Sequence, residues 1–356
     1  MPIKYKQIAG ELREEIHMLV YPPGSFLPTE KVLAEKYHAS RETIRHALSM
    51  LMDEGLILRR QGSGSLVLEK AEEIEQPKNI AIITTYISNY IFPSILREAE
   101  AVFSANNCNV MLYATSNRVS DERRILQKIL AEPKLDGVLV EGTKTALPNP
   151  NLDLYRKLEN KNIPLVFFNG EYRELSGVTS ILDDNFGGGY MLVEYLTKKG
   201  HKKIAGMFKS DDMQGHGRYA GYAAALQDQG LEVEDQHLFW YSTETKQLME
   251  HSENFFAESV IPRLQGSTAV VCYNDEAASY LVRYLVKNGV RIPEQLAVVS
   301  FDNSVYSDLS PCRISSLSHG DENVGRLAAL ALVAKLRGEK AESRLVSWIL
   351  EEKESS

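Results

Sequence analysis

Residues 27–68 read LPTEKVLAEKYHASRETIRHALSMLMDEGLILRRQGSGSLVL, and the reading of this stretch decides the architecture of the N-terminal segment. Ser40 is a good N-cap, and Ile44, Ala47, Leu48 and Leu51 follow at i, i+3, i+4 and i+7, one complete apolar helix face. Before it, Thr29 after Pro28 caps a shorter helix over 30–37, and His38-Ala39 leaves room for only a tight turn between the two. Asp53-Glu54-Gly55 closes the longer helix. Two short strands, Leu56–Arg60 and Ser65–Leu68, then bracket Gln61-Gly62-Ser63-Gly64, the pattern of a glycine-tipped hairpin. Upstream, Ile8, Leu12 and Ile16 align on one face of a helix over 5–20, which Tyr21-Pro22-Pro23-Gly24 must end because proline cannot continue it.

Three helices, a tight turn between the second and third, and a hairpin predict a winged helix-turn-helix, an α+β unit. With Ile44, Leu48 and Leu51 turned inward, Arg41, Glu42, Thr43 and Arg45 face outward at the start of the third helix, the part that meets base edges in a major groove. An arginine fork matches the two acceptors of guanine, and the Ser40 and Thr43 hydroxyls suit phosphate oxygens. Read as bland surface, Arg41 and Arg45 are merely solvated. The pattern Leu27-Pro28-Thr29-Glu30, Ser40-Arg41-Glu42-Thr43-Ile44-Arg45, Glu54-Gly55-Leu56-Ile57 and Arg60-Gln61-Gly62-Ser63-Gly64 resembles the DNA-binding domain of the GntR family over residues 3–68. That resemblance implies DNA contacts at Lys31, Ser40, Arg41, Thr43 and Arg45, with Gln61, Gly62 and Ser63 at the wing.

Charge placement agrees with this assignment only weakly. The 356-residue chain has a net charge of −8, which argues against a protein coated for nucleic acid. Residues 1–68 carry nine basic and eight acidic residues, so the front is the only part free of net repulsion toward a polyanion. The length suggests two or three domains. No apolar run approaches the ~20 residues of a membrane helix, and the N-terminus lacks a signal-peptide pattern, so the expected location is cytoplasmic. Cys108, Cys272 and Cys312 are too scattered for a disulfide framework or a zinc site. No metal or cofactor is expected. Residues 69–79, with four acids, two lysines and one proline, read as an exposed tether between a domain at 1–68 and another at 80–356.

From residue 80 strand-like runs alternate with helical patterns. The strands fall at 80–85, 109–114, 137–140, 164–168, 203–208, 237–241, 269–273 and 296–301. Helices fit at 94–105, 120–131, 186–199, 219–229, 247–265, 276–288 and 322–337. Such alternation predicts an α/β domain of two doubly wound parallel-sheet subdomains, near 80–180 and 185–310, with a C-terminal segment crossing back. Ligands of such sheets bind beyond the strand carboxyl ends. The candidates there are Tyr86, Tyr90, Glu141, Asn169, Lys209, Asn274 and Asp302, carboxylates, amides and a lysine that seek hydroxyls, with Phe168, Tyr273 or Trp240 to face a sugar ring. Asp183, Asp184 and Asp275 serve equally well as helix caps.

Asp136-Gly137-Val138, Asp183-Asp184-Asn185, Arg218-Tyr219-Ala220-Gly221-Tyr222, Tyr273-Asn274-Asp275 and Val298-Val299-Ser300-Phe301-Asp302-Asn303 resemble the periplasmic-binding-protein-like effector domain of the LacI/GalR repressors over about 80–350. The resemblance implies ligand contacts at Glu141, Asn169, Arg218, Asn274 and Asp302, with His319 facing the cleft from a crossover strand. Arg218 has an alternative role, an ion pair with Asp211 or Asp212. The combination of head and body resembles repressors of sugar utilisation in bacilli, which implies a homodimer on operator DNA and L-arabinose as effector. The residues alone indicate a small, neutral, polyhydroxylated ligand, and Lys209, His216 and Arg218 leave a phosphorylated sugar open. The other readings are a sugar-active enzyme and a plain sugar-binding protein. Against an enzyme, the chain has no GxSxG or HExxH motif, and Gly187-Gly188-Gly189 is not followed by the Gly-Lys-Ser/Thr of a phosphate loop.

Overall fold

The computed structural model describes residues 4–60, 64–68 and 76–356. The chain divides into two compact units, Met1–Gln76 and Pro77–Ser356. Of the tether expected at 69–79, residues 69–75 lie outside the described residues.

In the smaller unit, α1 (Lys4–His17), α2 (Glu30–Lys36) and α3 (Arg41–Asp53) precede an antiparallel pair, β1 (Ile57–Arg60) and β2 (Gly64–Val67). The apolar stripes meet in one core of Ile8, Leu12, Ile16, Leu33, Ile44, Leu48, Leu51, Ile57 and Val67. Both expected caps form: Ser40 Oγ accepts from the Thr43 amide at 3.2 Å, and Thr29 Oγ1 from that of Val32 at 3.5 Å. Helix α1 stops at His17, short of the expected 20, because Leu19 turns into the left-handed region (φ 59°) and leaves Met18, Leu19 and Val20 exposed.

The larger unit contains, in chain order, β3 (Lys78–Thr84), β4 (Cys108–Ala114), β5 (Gly137–Val140), β6 (Leu165–Phe168), β7 (Thr179–Asp183), β8 (Ile204–Lys209), β9 (Leu238–Tyr241), β10 (Ala269–Cys272), β11 (Ala297–Phe301), β12 (Ser315–Ser318), β13 (Arg344–Val346) and β14 (Ile349–Glu351). They form two six-stranded sheets, ordered β13-β7-β6-β5-β3-β4 and β14-β12-β11-β10-β8-β9. The first sheet is wholly parallel. In the second only β14 runs against its neighbour. Each sheet has an apolar core on both faces, as a doubly wound sheet must. The eight strands read from sequence are all present. Four more, β7, β12, β13 and β14, carry polar or short stretches that gave no apolar run.

These four strands build the connection between the lobes. The chain crosses three times: after β7 at Asp184, after β12 on the way to the helix Val324–Leu336, and between β13 and β14. The helix Val324–Leu336 returns to cover the first sheet, packing Val324, Ala328 and Leu332 with Phe92, Ile95 and Ala99. The helix expected over 247–265 is broken. Ser252 caps a new start, a wide π turn spans Phe256–Val260, and Pro262, which lacks an amide donor, sits in the short helix Ile261–Leu264.

Two helices behind the cleft approach unusually closely, and glycines make this possible. A Cβ on Gly189, in the helix Asn185–Lys198, would lie 2.1 Å from the Arg218 carbonyl oxygen. One on Gly221, in the helix Met213–Asp228, would lie 1.9 Å from that of Phe186. Within the run 187–189, Gly189 serves this helix packing, while Gly187 leaves room for the Asp184 cap and Gly188 for the rings of Phe301 and Trp348.

Candidate effector cleft and nucleic-acid interface

The carboxyl ends of both sheets open onto one cleft of about 890 Å³, counted out to its mouth. Eight of the ten sequence candidates line it: Tyr86, Tyr90, Glu141 and Asn169 from the first lobe, and Lys209, Arg218, Asn274 and Asp302 from the second. Three of them share an unusual backbone geometry. Tyr90, Asn169 and Asp302 all adopt positive φ (60°, 57° and 93°), a region that asparagine and aspartate enter more readily than most residues and that is costly for tyrosine.

Arg218 is 1% exposed, and four hydrogen bonds engage its five N–H donors. Its Nε donates to Asn185 Oδ1 (2.9 Å), Nη1 to the Tyr273 carbonyl, and Nη2 to Asp183 (3.4 Å) and Asp302 (3.3 Å). The rings of Phe301 (4.2 Å) and Tyr273 (4.8 Å) lie against the guanidinium. Burial alone would lower its pKa, and the opposing charges of Asp302 and Asp183 more than offset this. The two carboxyls divide. Burial and the neighbouring Asp183 hold Asp302 above the usual carboxylate range despite Arg218. In Asp183 burial is outweighed by His319 and Arg218, which hold it below. The sequence alternative of Asp211 or Asp212 as partners of Arg218 does not form. Those two residues hold Lys209 instead, at 3.3 and 2.7 Å. Burial opposes the Lys209 ammonium, and the two aspartates outweigh it, keeping its pKa above the lysine norm.

Glu141 ends β5 in a nest of donors. Its carboxylate accepts from the Thr85 amide (2.7 Å), Thr85 Oγ1 (2.6 Å), Thr84 Oγ1 (3.1 Å) and Asn169 Nδ2 (3.3 Å), yet burial still pushes its pKa up. Asn274 accepts from the Ala277 amide as an N-cap. Asp275, one residue on, is a wholly buried acceptor for Ser300, Ser304 and Ser316, and burial with Asp302 nearby pushes it up to about 7.

Two expected contacts lie elsewhere. His216 is exposed. It faces the Ser210 carbonyl (2.9 Å) and the edge of Trp240, because two positions along a helix are a rotation of about 200°, which puts it on the side away from Arg218. His319 lines a neighbouring cavity, where it ties the crossovers together: Nε2 sits 3.0 Å from Asp183 and Nδ1 2.9 Å from the Ser347 carbonyl. With acceptors at both ring nitrogens the charged imidazole is favoured. Burial opposes this, but Asp183 prevails and the pKa is raised. Of the proposed sugar-facing aromatics only Tyr273 lines the cleft. Phe168 is buried in the core of the first sheet, and Trp240 packs on the outer side of the second with Tyr219. The sequence reading missed Thr85, Gln214, Thr243, Lys246 and Glu276 as lining residues. The sequence places Thr85 last in the strand over 80–85, whereas β3 ends at Thr84 and leaves Thr85 at the ligand edge.

The lobes touch across the cleft mouth. Asn117 Nδ2 donates to Thr243 Oγ1 (2.6 Å), the Met213 amide to Thr145 Oγ1 (2.9 Å), and Lys144 pairs with Glu244 (2.5 Å).

In the smaller unit Arg41, Glu42 and Arg45 are exposed on one face of α3, with Thr43 half-buried beside them. Lys31 is exposed on α2. Ser40 and Thr43 bond each other at 2.8 Å, so both hydroxyls sit at the helix N-terminus among its free amides. Glu30 holds Arg59 at 2.9 Å and Arg45 at 3.5 Å. Gln61, Gly62 and Ser63, expected at the wing tip, lie outside the described residues. No helix among the described residues is long and apolar enough to cross a membrane.

Residues 4–67 match the bacterial regulatory proteins of the gntR family, and residues 193–356 match the periplasmic binding protein-like domain. The arabinose metabolism transcriptional repressor of Halalkalibacterium halodurans is 35% identical over 347 residues, spanning 96% of this chain and 91% of that protein. Its namesake in Geobacillus stearothermophilus is 35% identical over 333 residues, 93% of this chain and 90% of that one. The transcription regulator CcpA of Lactococcus lactis shares the fold, with a TM-score of 0.67 at 23% identity over 79% of this chain and 99% of that structure. The chain belongs to the family of the arabinose metabolism repressors, DNA-binding transcriptional regulators that join a GntR-type winged helix-turn-helix to a LacI/GalR-type, periplasmic-binding-protein-like sensor.

Proposed function

We propose that the protein is a sequence-specific repressor of carbohydrate-utilisation genes that binds operator DNA as a homodimer and leaves it when L-arabinose occupies the cleft. Lys31, Ser40, Arg41, Glu42, Thr43 and Arg45 meet the DNA, with Gln61, Gly62 and Ser63 at the wing. Glu141, Asn169, Arg218, Asn274 and Asp302 bind the sugar beside Tyr86, Tyr90 and Lys209. The curated relatives' names support arabinose.

The observation that carries the neutral-sugar reading is the charge bookkeeping of the lining. Each described cation there already faces a carboxylate: Lys209 with Asp212, Arg218 with Asp302, and Lys246 with Glu276 at 2.8 Å. A phosphate would have to displace these partners, leaving buried carboxylates unpaired. A neutral polyol needs only to exchange hydrogen bonds. Release follows if the sugar favours one arrangement of the lobes over another, since a ligand shifts a conformational equilibrium only by its differential affinity.

Gel shifts on fragments upstream of sugar-utilisation genes test the reading, with L-arabinose, D-xylose and arabinose 5-phosphate as additions. Release by L-arabinose alone is expected. Release by the phosphate ester alone, or binding that ignores every sugar, refutes it. Weakened binding to every fragment at higher salt is expected from the phosphate contacts.

A further inference from the structure

Behind the cleft lies a second cavity, about 1010 Å³ out to its mouth, bounded by Ser304, Ser318, His319, Glu322 and Asn323. The two spaces share four lining residues, Tyr90, Ile91, Asn169 and Asp302, which form the partition between them. Tyr90 spans it. The residue belongs to the first lobe, yet its hydroxyl is satisfied wholly by the second. It donates to the Asp302 carboxylate, lies 3.4 Å from the Phe301 carbonyl, and accepts from the Asp275 amide at 3.2 Å. Its ring packs on Tyr306 of the second lobe, with centroids 5.7 Å apart. The backbone is left-handed there (φ 60°), a conformation that costs energy for a tyrosine and that surrounding contacts must hold.

We infer that Tyr90 sets the size limit of the effector, walling the cleft so that one sugar ring fits and a second, linked ring is refused. The inference rests on the sugar-effector reading above. The far cavity has the chemistry for a second ring, with hydroxyls, an amide, a carboxylate and an imidazole beside Ile95, Val305 and Val324. The four shared residues, Tyr90 foremost, stand between that space and the cleft. Exclusion by a wall is specificity built against the wrong ligand, independent of how well the right one is held.

Calorimetric titration of the full chain with L-arabinose and with (1→5)-α-L-arabinobiose tests this. The wild type binds arabinose at least about 1000-fold more tightly than the disaccharide, beyond the ~10–200-fold that one extra or missing methylene in a pocket achieves. Tyr90→Gly, which suits the left-handed backbone, and Tyr90→Ala remove the wall and bring the two sugars to within about 10-fold of each other. Tyr90→Phe keeps the ring and keeps the disaccharide out. A cooperative melt establishes that each variant is folded. The inference is overturned if the wild type takes both sugars alike, if Tyr90→Phe admits the disaccharide, or if both small variants still refuse it. Loss of both sugars from both small variants overturns it as well, since the residue would then be a contact that any ring needs. A wild type that ignores arabinose refutes the effector reading, and this inference with it.

Discussion

Replacing Arg218 with methionine is the perturbation whose outcome follows most directly from the structure. Methionine keeps an unbranched chain between Phe301 and Tyr273 and removes the guanidinium. Asp183 and Asp302, both nearly inaccessible, then lose the cation that faces each of them at 3.3–3.4 Å. Breaking a buried pair by removing one partner costs about 3–5 kcal/mol, because the other charge stays desolvated. Asp302 already sits above the usual range with Arg218 present, and without it the carboxyl rises further. A carboxyl whose folded pKa exceeds its unfolded value contributes stability that is present at low pH and lost as pH rises through the folded pKa. The deficit of the variant therefore narrows as pH falls and widens as pH rises. Urea unfolding of the larger unit, followed by tryptophan fluorescence from Trp240 and Trp348 at several pH values, measures it. A deficit below about 1 kcal/mol that is flat with pH would refute the claim that Arg218 neutralises this buried pair.

Three further outcomes follow from single features. Asp275→Asn removes a carboxyl pushed up to about 7, so wild-type stability measured against the variant falls as pH rises from about 4 to about 7 and then levels; a flat difference over that range contradicts the assignment. Gly189→Ala places a methyl 2.1 Å from the Arg218 carbonyl oxygen and destabilises by about 1–3 kcal/mol or more, seen as a lower midpoint of chemical unfolding; an unchanged midpoint means the helices part without cost. Ser40→Ala removes the N-cap of α3 and lowers the stability of the smaller unit by about 1 kcal/mol, with exchange of the Thr43 amide accelerated, and protection of that amide as in the wild type rejects the cap.

The two units differ in how plainly the sequence speaks. In the smaller one, Ile44, Ala47, Leu48 and Leu51 share a helix face whatever else surrounds them, because 3.6 residues per turn is a local fact. Ser40 and Thr29 cap as read for the same reason. The eight apolar strands of the larger unit were equally legible, and so were cleft residues such as Glu141 and Asp302, since a residue following a parallel strand arrives at the ligand edge by topology alone. His216 misled because position along a helix sets which way a side chain turns, and proximity to Arg218 in sequence does not place it in the cleft.

What the order of residues determined by itself was the pair of architectures, the caps and the set of strand ends from which a site must be drawn. Tertiary structure alone decided the hinge. Strand β12 reads Ser315-Ser316-Leu317-Ser318 and has no apolar signal, yet it is fully buried, because Ser316 finds Asp275 and Ser315 finds Ser355 and Lys353. Buried polar groups are stable only with partners, and partners 38–41 residues away are supplied by packing, with no periodicity to announce them. The same holds for Arg218, whose neighbours Asp183 and Asp302 stand 35 and 84 residues away and meet it only when the lobes and their crossovers are assembled.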